Sequence, residues 1–376
     1  MKILFVNLSK LRFTVATPDN EPLGGTESSI GYLARNLAKR GHDVALIAHL
    51  PAALASNLIM EVRHFEPTVL LNDAFLKAEN FDAIIVVSRP VAGLSIKAMA
   101  PSSLLLLWNH LAPDQENMQV LKEAEARDAF DGFVYVSDWQ RQVTEQWFHF
   151  TKPYAVIGNG FAPAFENMFA SATELRAAKE NRAAYTTTPF RGLDVLVDAM
   201  EGLEGGTKLD IYSSMRVYQD SADAHFIDLY NRAAANPHIV QHGAVAQGEL
   251  AERLRPVSFF TYPSTYAETF CIAGLEALAA GMKLVMTQTS ALPETMMGFA
   301  DFVDVSVGNR PKLVADYRAL IERNVAAFQT DPAAWAEERF ATLQHVNRTC
   351  TWAERAKEWE RLLSRLITSP VSGIPA

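Results

Sequence analysis

Short, continuous apolar runs alternate with segments of helical periodicity along most of the chain, and this alternation restricts the fold more than any other feature. The first run is 2–8. After a long loop come a helix pattern at 27–40, the turn residues Gly41 and His42, and a second run at 44–48. Further strand-like runs lie at 83–87, 104–108, 133–136 and 155–157. Strands that alternate with helices build a doubly wound parallel sheet. Ser137 and Gln140 have capping-box spacing for a helix over 138–148. After Gly160 the series restarts, with runs at 183–187, 209–212, 239–240, 259–262, 284–287 and 302–305 and helices at 193–200 and 250–254. From Pro311 onward the pattern is three helical stretches, the last at 352–367, followed by a polar tail rich in Ser and Pro. The expected class is α/β with two Rossmann-like domains, 1–162 and 163–350, and a terminal helix and tail at 351–376.

A chain of 376 residues is long enough for two cores of this kind. The formal net charge of −9 argues against a general nucleic-acid binder, which carries a basic face. Cysteine occurs twice, at Cys271 and Cys350, so no disulfide framework is expected and a reducing, cytoplasmic setting fits. The opening MKILFVNLSK reads as a strand, since Asn7 breaks the apolar run and no small-residue cleavage site follows. No window approaches the roughly 18 to 20 apolar residues that span a bilayer, which leaves peripheral contact as the form any membrane association would take.

The run 261–287, TYPSTYAETFCIAGLEALAAGMKLVMT, concentrates the chemistry. It reads as a strand end, a turn, a short helix stopped by Gly281 and a second strand. Glu268 precedes the helix and Glu276, after seven intervening residues, lies inside it. Between them Phe270, Cys271 and Ile272 are expected to supply free first-turn amides, where the helix macrodipole adds about half a positive charge. Such a terminus suits an anion such as a diphosphate. Ile272, Leu275, Leu278 and Ala279 recur at helical spacing and are expected to pack inward.

This block, with Pro263 and Ser264 ahead of it and Ala277, Leu278, Ala279, Ala280 and Gly281 behind, resembles the signature of the retaining glycosyltransferases of family 4. The resemblance implies a GT-B fold, with two lobes facing a cleft and the last helix crossing back to the first domain. It also implies that Glu268 contacts the donor sugar, Glu276 the ribose, and the helix start the diphosphate. Other segments match in order. The glycine-rich loop Leu23, Gly24, Gly25, Thr26, Glu27 corresponds to one that packs near the donor diphosphate and acceptor, with Thr26 able to cap the following helix. It lacks G-x-G-x-x-G, which argues against a nicotinamide dehydrogenase. The turn Asn159, Gly160 resembles the one that closes the first domain, and Gly243, after His242, falls in the segment near the nucleotide base.

Arg191 corresponds to one of two diphosphate-binding cations in the family. The other position falls on Thr186, which carries no charge, and Arg216 is the candidate replacement. His110 ends the strand run 104–108 at the carboxyl edge, where ligands collect in open α/β sheets. Its unperturbed pKa near 6.5 would keep it adjustable. The histidines do not cluster as metal ligands, Asp-x-Asp is absent from the sequence, and no cofactor or metal is expected. The implied reaction moves a sugar from a nucleotide diphosphate sugar to a saccharide, lipid-linked or small-molecule acceptor, with envelope or polysaccharide assembly at the inner face of the membrane as the setting. Paired carboxylates also occur in glycoside hydrolases, but here a diphosphate site lies between them in sequence. A non-catalytic two-lobed protein that senses nucleotide sugars is the alternative.

Overall fold

The computed structural model describes residues 1–52, 54, 56–220 and 222–368; the Ser- and Pro-rich tail lies outside them. The chain divides into two compact units. One comprises Met1–Pro18, Gly25–Asn159 and the chain from Trp352; the other comprises Asp19–Gly24 and Gly160–Thr351.

The first unit is built on eight strands: β1 (Lys2–Val6), β2 (Asp43–Ile47), β3 (Leu58–Ile59), β4 (Val62–Phe65), β5 (Ala83–Val87), β6 (Leu104–Asn109), β7 (Gly132–Tyr135) and β8 (Tyr154–Val156). Their spatial order is β3-β4-β2-β1-β5-β6-β7-β8, parallel throughout except for β3 against β4. The central strands are apolar on both faces, as helix-covered parallel strands must be; all five residues of β5 are buried. The β3–β4 hairpin is absent from the sequence reading. Its turn residues, Met60 and Glu61, hold φ of 49° and 63°, a left-handed pair that Asn-Gly usually supplies, so no turn signal announced it.

The terminal helix Trp352–Thr368 belongs to this unit and packs on the opening helix Gly25–Lys39. Its apolar stripe of Trp352, Ala356, Trp359, Leu363 and Leu366 is buried. Trp352 lies 6.2 Å from the Tyr32 ring, and Trp359 meets Trp108 edge-on at 5.2 Å. Ser137 accepts from Gln140 N–H at 3.1 Å, and the Gln140 side chain accepts from Val136 N–H at 2.9 Å. The opening helix begins at Gly25, so Thr26 sits inside its first turn and does not cap it.

The second unit carries β9 (Glu180–Tyr185), β10 (Lys208–Ile211), β11 (Ile239–Gln241), β12 (Val257–Tyr262), β13 (Lys283–Gln288) and β14 (Ala300–Asp304). They run parallel in the order β11-β10-β9-β12-β13-β14, which is the 3-2-1-4-5-6 order of a Rossmann sheet. The helix Arg310–Thr330 covers the β13–β14 side, and Tyr317 on it donates to Val285 O at 2.6 Å.

Candidate active site

In the second unit the strand order reverses between β9 and β12, and in such sheets ligands bind beyond the carboxyl ends at that point. The loops 186–192 and 263–271 leave from those two strand ends. They approach each other backbone to backbone at Gly192, whose φ is 89°; a Cβ there would stand 2.1 Å from Pro263 O. Only glycine permits both the dihedral and the approach.

That approach delivers Arg191 to Glu268. Arg191 Nη1 donates to Glu268 Oε1, and Tyr262 OH donates to the same oxygen. Glu268 is 3% exposed. The guanidinium also lies 4.8 Å from the Tyr266 ring and 5.4 Å from Phe190, two rings that meet edge-on at 5.6 Å. Burial by itself would lower the Arg191 pKa, but the adjacent Glu268, with Tyr262 and Tyr218, raises it well above the arginine norm. Arg191 is therefore a fixed cation. Neither Tyr262 nor Tyr266 was singled out in the sequence; a tyrosine at a strand end is no signal without knowledge of what the next loop brings back to it.

The helix Ile272–Ala279 starts at this junction. Cys271 is its N-cap, and its sulfur accepts from Gly274 N–H at 3.3 Å. Phe270 therefore lies ahead of the helix, Cys271 is the capping residue, and the first-turn amides left for a ligand belong to Ile272 and Ala273. Both residues are partly exposed, so Ile272 is not packed inward as its spacing suggested, whereas Leu275, Leu278 and Ala279 are buried. At the other end Gly281, with φ of 67°, donates to Leu278 O at 3.0 Å and Met282 to Ala277 O at 2.9 Å, a Schellman closure. Buried Lys179 adds donors to Ala280 O at 2.7 Å and Val257 O at 2.6 Å. The helix is thus held at its carboxyl end while its amino end keeps two open donors.

Glu276 is 5% exposed. Burial pushes its pKa up to about 8 against the opposing effect of a hydrogen bond from the Ala162 backbone. The folded state therefore holds a proton that the unfolded chain releases near pH 4.5, so stability is complete below that pH and is lost as pH rises toward about 8. Glu276→Gln is expected to flatten this profile. In thermal or denaturant titrations from pH 5 to 8 the wild type should lose up to about 1.4 kcal/mol per pH unit relative to the variant. Parallel profiles for the two proteins would contradict the assignment.

Other candidates are placed as follows. Arg216 is exposed on a 3-10 turn, Met215–Tyr218, just beyond β10; Ser214 and Asp223 shape the turn, since Ser214 Oγ accepts from Arg216 N–H at 3.0 Å and Asp223 from Met215 N–H at 2.7 Å. Tyr218 on the same turn is near enough to act on the charge of Arg191. Gly243 has φ of 68° and open space around it. Beside it His242 bonds Asp210 at 2.8 Å and stacks on Tyr212 at 4.5 Å.

His110 belongs to the first unit, where it follows β6, is 9% exposed and packs on Trp108 at 4.5 Å. Its backbone N–H donates to Ser88 Oγ at 2.9 Å. Burial lowers its pKa to about 3, which corrects the expectation of an adjustable imidazole: it is neutral throughout the physiological range. Gly25 opens the helix Gly25–Lys39 and Gly24 is buried just ahead of it. Glu27, two residues on, is a buried carboxyl with a raised pKa, caused first by burial, and has Asn7 Nδ2 at 3.5 Å; in the sequence it reads as the end of the loop and the start of the helix pattern, with no sign of its burial.

Among the described residues no group of three or more His, Cys, Asp or Glu side chains is arranged to hold a metal ion, and no helix is long and apolar enough to cross a membrane.

Residues 23–165 match the family model Glycosyltransferase Family 4, and residues 183–323 match Glycosyl transferases group 1. No curated protein sequence matches the chain. Solved structures with the same fold include a sucrose-phosphate synthase from Thermosynechococcus elongatus, at TM-score 0.72 and 16% identity, covering 98% of this chain and 100% of that one. HepE of Anabaena, solved in complex with UDP and glucose, gives TM-score 0.72 and 16% identity, covering 97% and 99%. A glycosyltransferase from Rickettsia africae gives 0.71 and 16%, covering 98% and 99%. With two matching family models over most of its length, two parallel-sheet units of GT-B type, and a switch-point cation, carboxylate and helix start in the second unit, the chain is a group 1, family 4-like glycosyltransferase.

Proposed function

We infer that the chain is a retaining hexosyltransferase that uses a nucleotide diphosphate sugar and works without a metal ion. The observation that carries this reading is the Arg191–Glu268 pair placed beside the open amides of Ile272 and Ala273 at the switch point of the second unit. A fixed cation and two amides together suit a diphosphate, and they stabilise the charge that grows on it as the sugar leaves. This donor set does for the leaving group what a metal ion does elsewhere, which supports metal independence.

Glu268 then positions sugar hydroxyls. One of its oxygens already accepts from both Arg191 and Tyr262, which makes it a poor nucleophile and favours reaction on one face of the sugar, the leaving phosphate assisting deprotonation of the acceptor. Glu276, protonated near neutral pH, can both donate to and accept from the ribose hydroxyls. Gly243 approaches the base through its backbone, and Gly24, Gly25 and neutral His110 are the remaining residues assigned to the donor and acceptor. The acceptor is a saccharide, lipid-linked or small-molecule hydroxyl compound, with envelope glycan assembly at the inner face of the membrane as the proposed setting. HepE, with UDP and glucose bound, makes uridine the first base to test.

Thermal shift with uridine, guanosine and adenosine diphosphates tests the donor assignment: one of them is expected to stabilise the protein, and stabilisation by none overturns it. Arg191→Ala is expected to weaken nucleoside diphosphate binding by about tenfold or more, in keeping with about 1.5–3 kcal/mol for a charged hydrogen bond. Arg216→Ala is expected to weaken it by a smaller factor; unchanged affinity in titration calorimetry would remove Arg216 as the replacement for the cation missing at Thr186.

A further inference from the structure

Most charged side chains of the terminal helix Trp352–Thr368 are matched. Glu360 takes Arg40 and His42, Lys357 takes Glu354, and Arg355 takes Glu358 at 3.1 Å. Arg361 and Arg365 are the exceptions, since neither forms a salt bridge among the described residues; the Arg361 Nε donates only to Lys357 O within its own helix. They stand four residues apart on one helix face, where like charges repel.

Both line one concavity of the first unit, a cavity of about 400 Å³ between this helix and the edge strand β8. Val156 and Leu362 give it an apolar floor, and Arg355 with Glu358 closes one side. Val156 is 40% exposed there, and β8 pairs only with β7. A protein of net charge −9 has therefore gathered two guanidinium groups that form no salt bridge among the described residues, Arg361 acting on Glu358 only through its charge, over apolar surface in a hollow of small-ligand size. Guanidinium forks at this spacing suit a phosphate oxygen set, and the floor suits the organic group attached to it.

We propose that this hollow is a binding site for a phosphate-bearing molecule, formed by Arg361 and Arg365 with β8 and separate from the donor site of the second unit. A phosphomonoester in solution and the headgroup of an anionic lipid share the required chemistry. A macromolecular strand is a poorer occupant, since β8 has only three residues to pair with.

The two sources are separated by two assays on the full chain. In the first, glycerol 3-phosphate is titrated at constant ionic strength and followed by calorimetry. In the second, the protein is sedimented with vesicles of phosphatidylcholine alone or containing phosphatidylglycerol. Binding is expected in one of the two assays, reduced at least tenfold in Arg361→Gln/Arg365→Gln and retained in Arg191→Ala. Both substituted arginines are exposed, so the double variant should fold, and its nucleoside diphosphate binding should match the wild type. Absence of binding in both assays overturns the proposal. So does binding that survives the double substitution or disappears with Arg191→Ala. Because the comparison with Arg191→Ala does not require a donor to bind, the site stands or falls independently of the donor reading.

Discussion

Glu268→Ala is expected to lower turnover by about two to three orders of magnitude, the range seen when one preorganised electrostatic group is removed from a reacting centre, while nucleoside diphosphate affinity stays within a few-fold of wild type. The substitution removes the acceptor shared by Arg191 and Tyr262. Arg191 then keeps its charge and its place between Phe190 and Tyr266, so the diphosphate still finds its cation while the sugar loses its positioning group. Stability should fall as well, by about 1–3 kcal/mol, less than a fully buried broken pair costs because a fifth of the Arg191 side chain remains exposed. Glu268→Gln separates shape from charge: it keeps an acceptor for Tyr262 but weakens the hold on Arg191. Steady-state kinetics beside direct binding measurements decide the matter. Lost nucleotide affinity with retained turnover would reverse the roles assigned to Glu268 and Glu276.

Gly192→Ala is expected to destabilise the protein by about 3 kcal/mol or more. Part of this is the left-handed backbone, worth about 1–2 kcal/mol for an L residue. The remainder is the collision of the new Cβ with Pro263 O, which is main chain and cannot rotate away. Gly206→Ala provides the comparison, since Gly206 has φ of 68° with nothing within 4 Å of a Cβ and should show the backbone cost alone. Guanidinium denaturation of the two variants should separate these contributions. Equal losses would mean that loops 186–192 and 263–271 do not meet as closely as described, and Arg191 would lose its route to Glu268.

How far the site was legible in the sequence depended on whether local spacing carried the information. The apolar runs of β1, β5, β6 and β12 are visible because a covered parallel strand needs nearly every residue apolar. Gly281 is visible because a helix that must stop and turn needs a left-handed residue. The restart after Gly160 is visible because two Rossmann sheets repeat the same alternation. The parts that were not legible depend on which way side chains turn, within a loop as well as between distant segments. With Cys271 as the cap the open amides are those of Ile272 and Ala273, and Phe270 and Cys271 drop out; a thiol is a weak enough acceptor that its identity alone does not mark a cap. The Ala162 amide on Glu276 joins residues whose spacing says nothing about proximity, whereas Tyr262 with Glu268 and Trp108 with His110 are near in sequence and spacing alone does not say that their side chains meet. The His110 case shows the direction of the error: a histidine at a strand's carboxyl edge is well placed for a ligand, but an aromatic neighbour can remove the water that its titration requires.

The most direct test is to mix the purified protein with uridine, guanosine and adenosine diphosphate sugars, with and without saccharide acceptors, and to follow release of the free nucleoside diphosphate. Release is expected from one donor, faster with an acceptor, and about two to three orders of magnitude slower in Glu268→Ala. Saturable binding of a nucleotide sugar with no release under any condition would contradict transfer and leave a protein that senses the donor without consuming it.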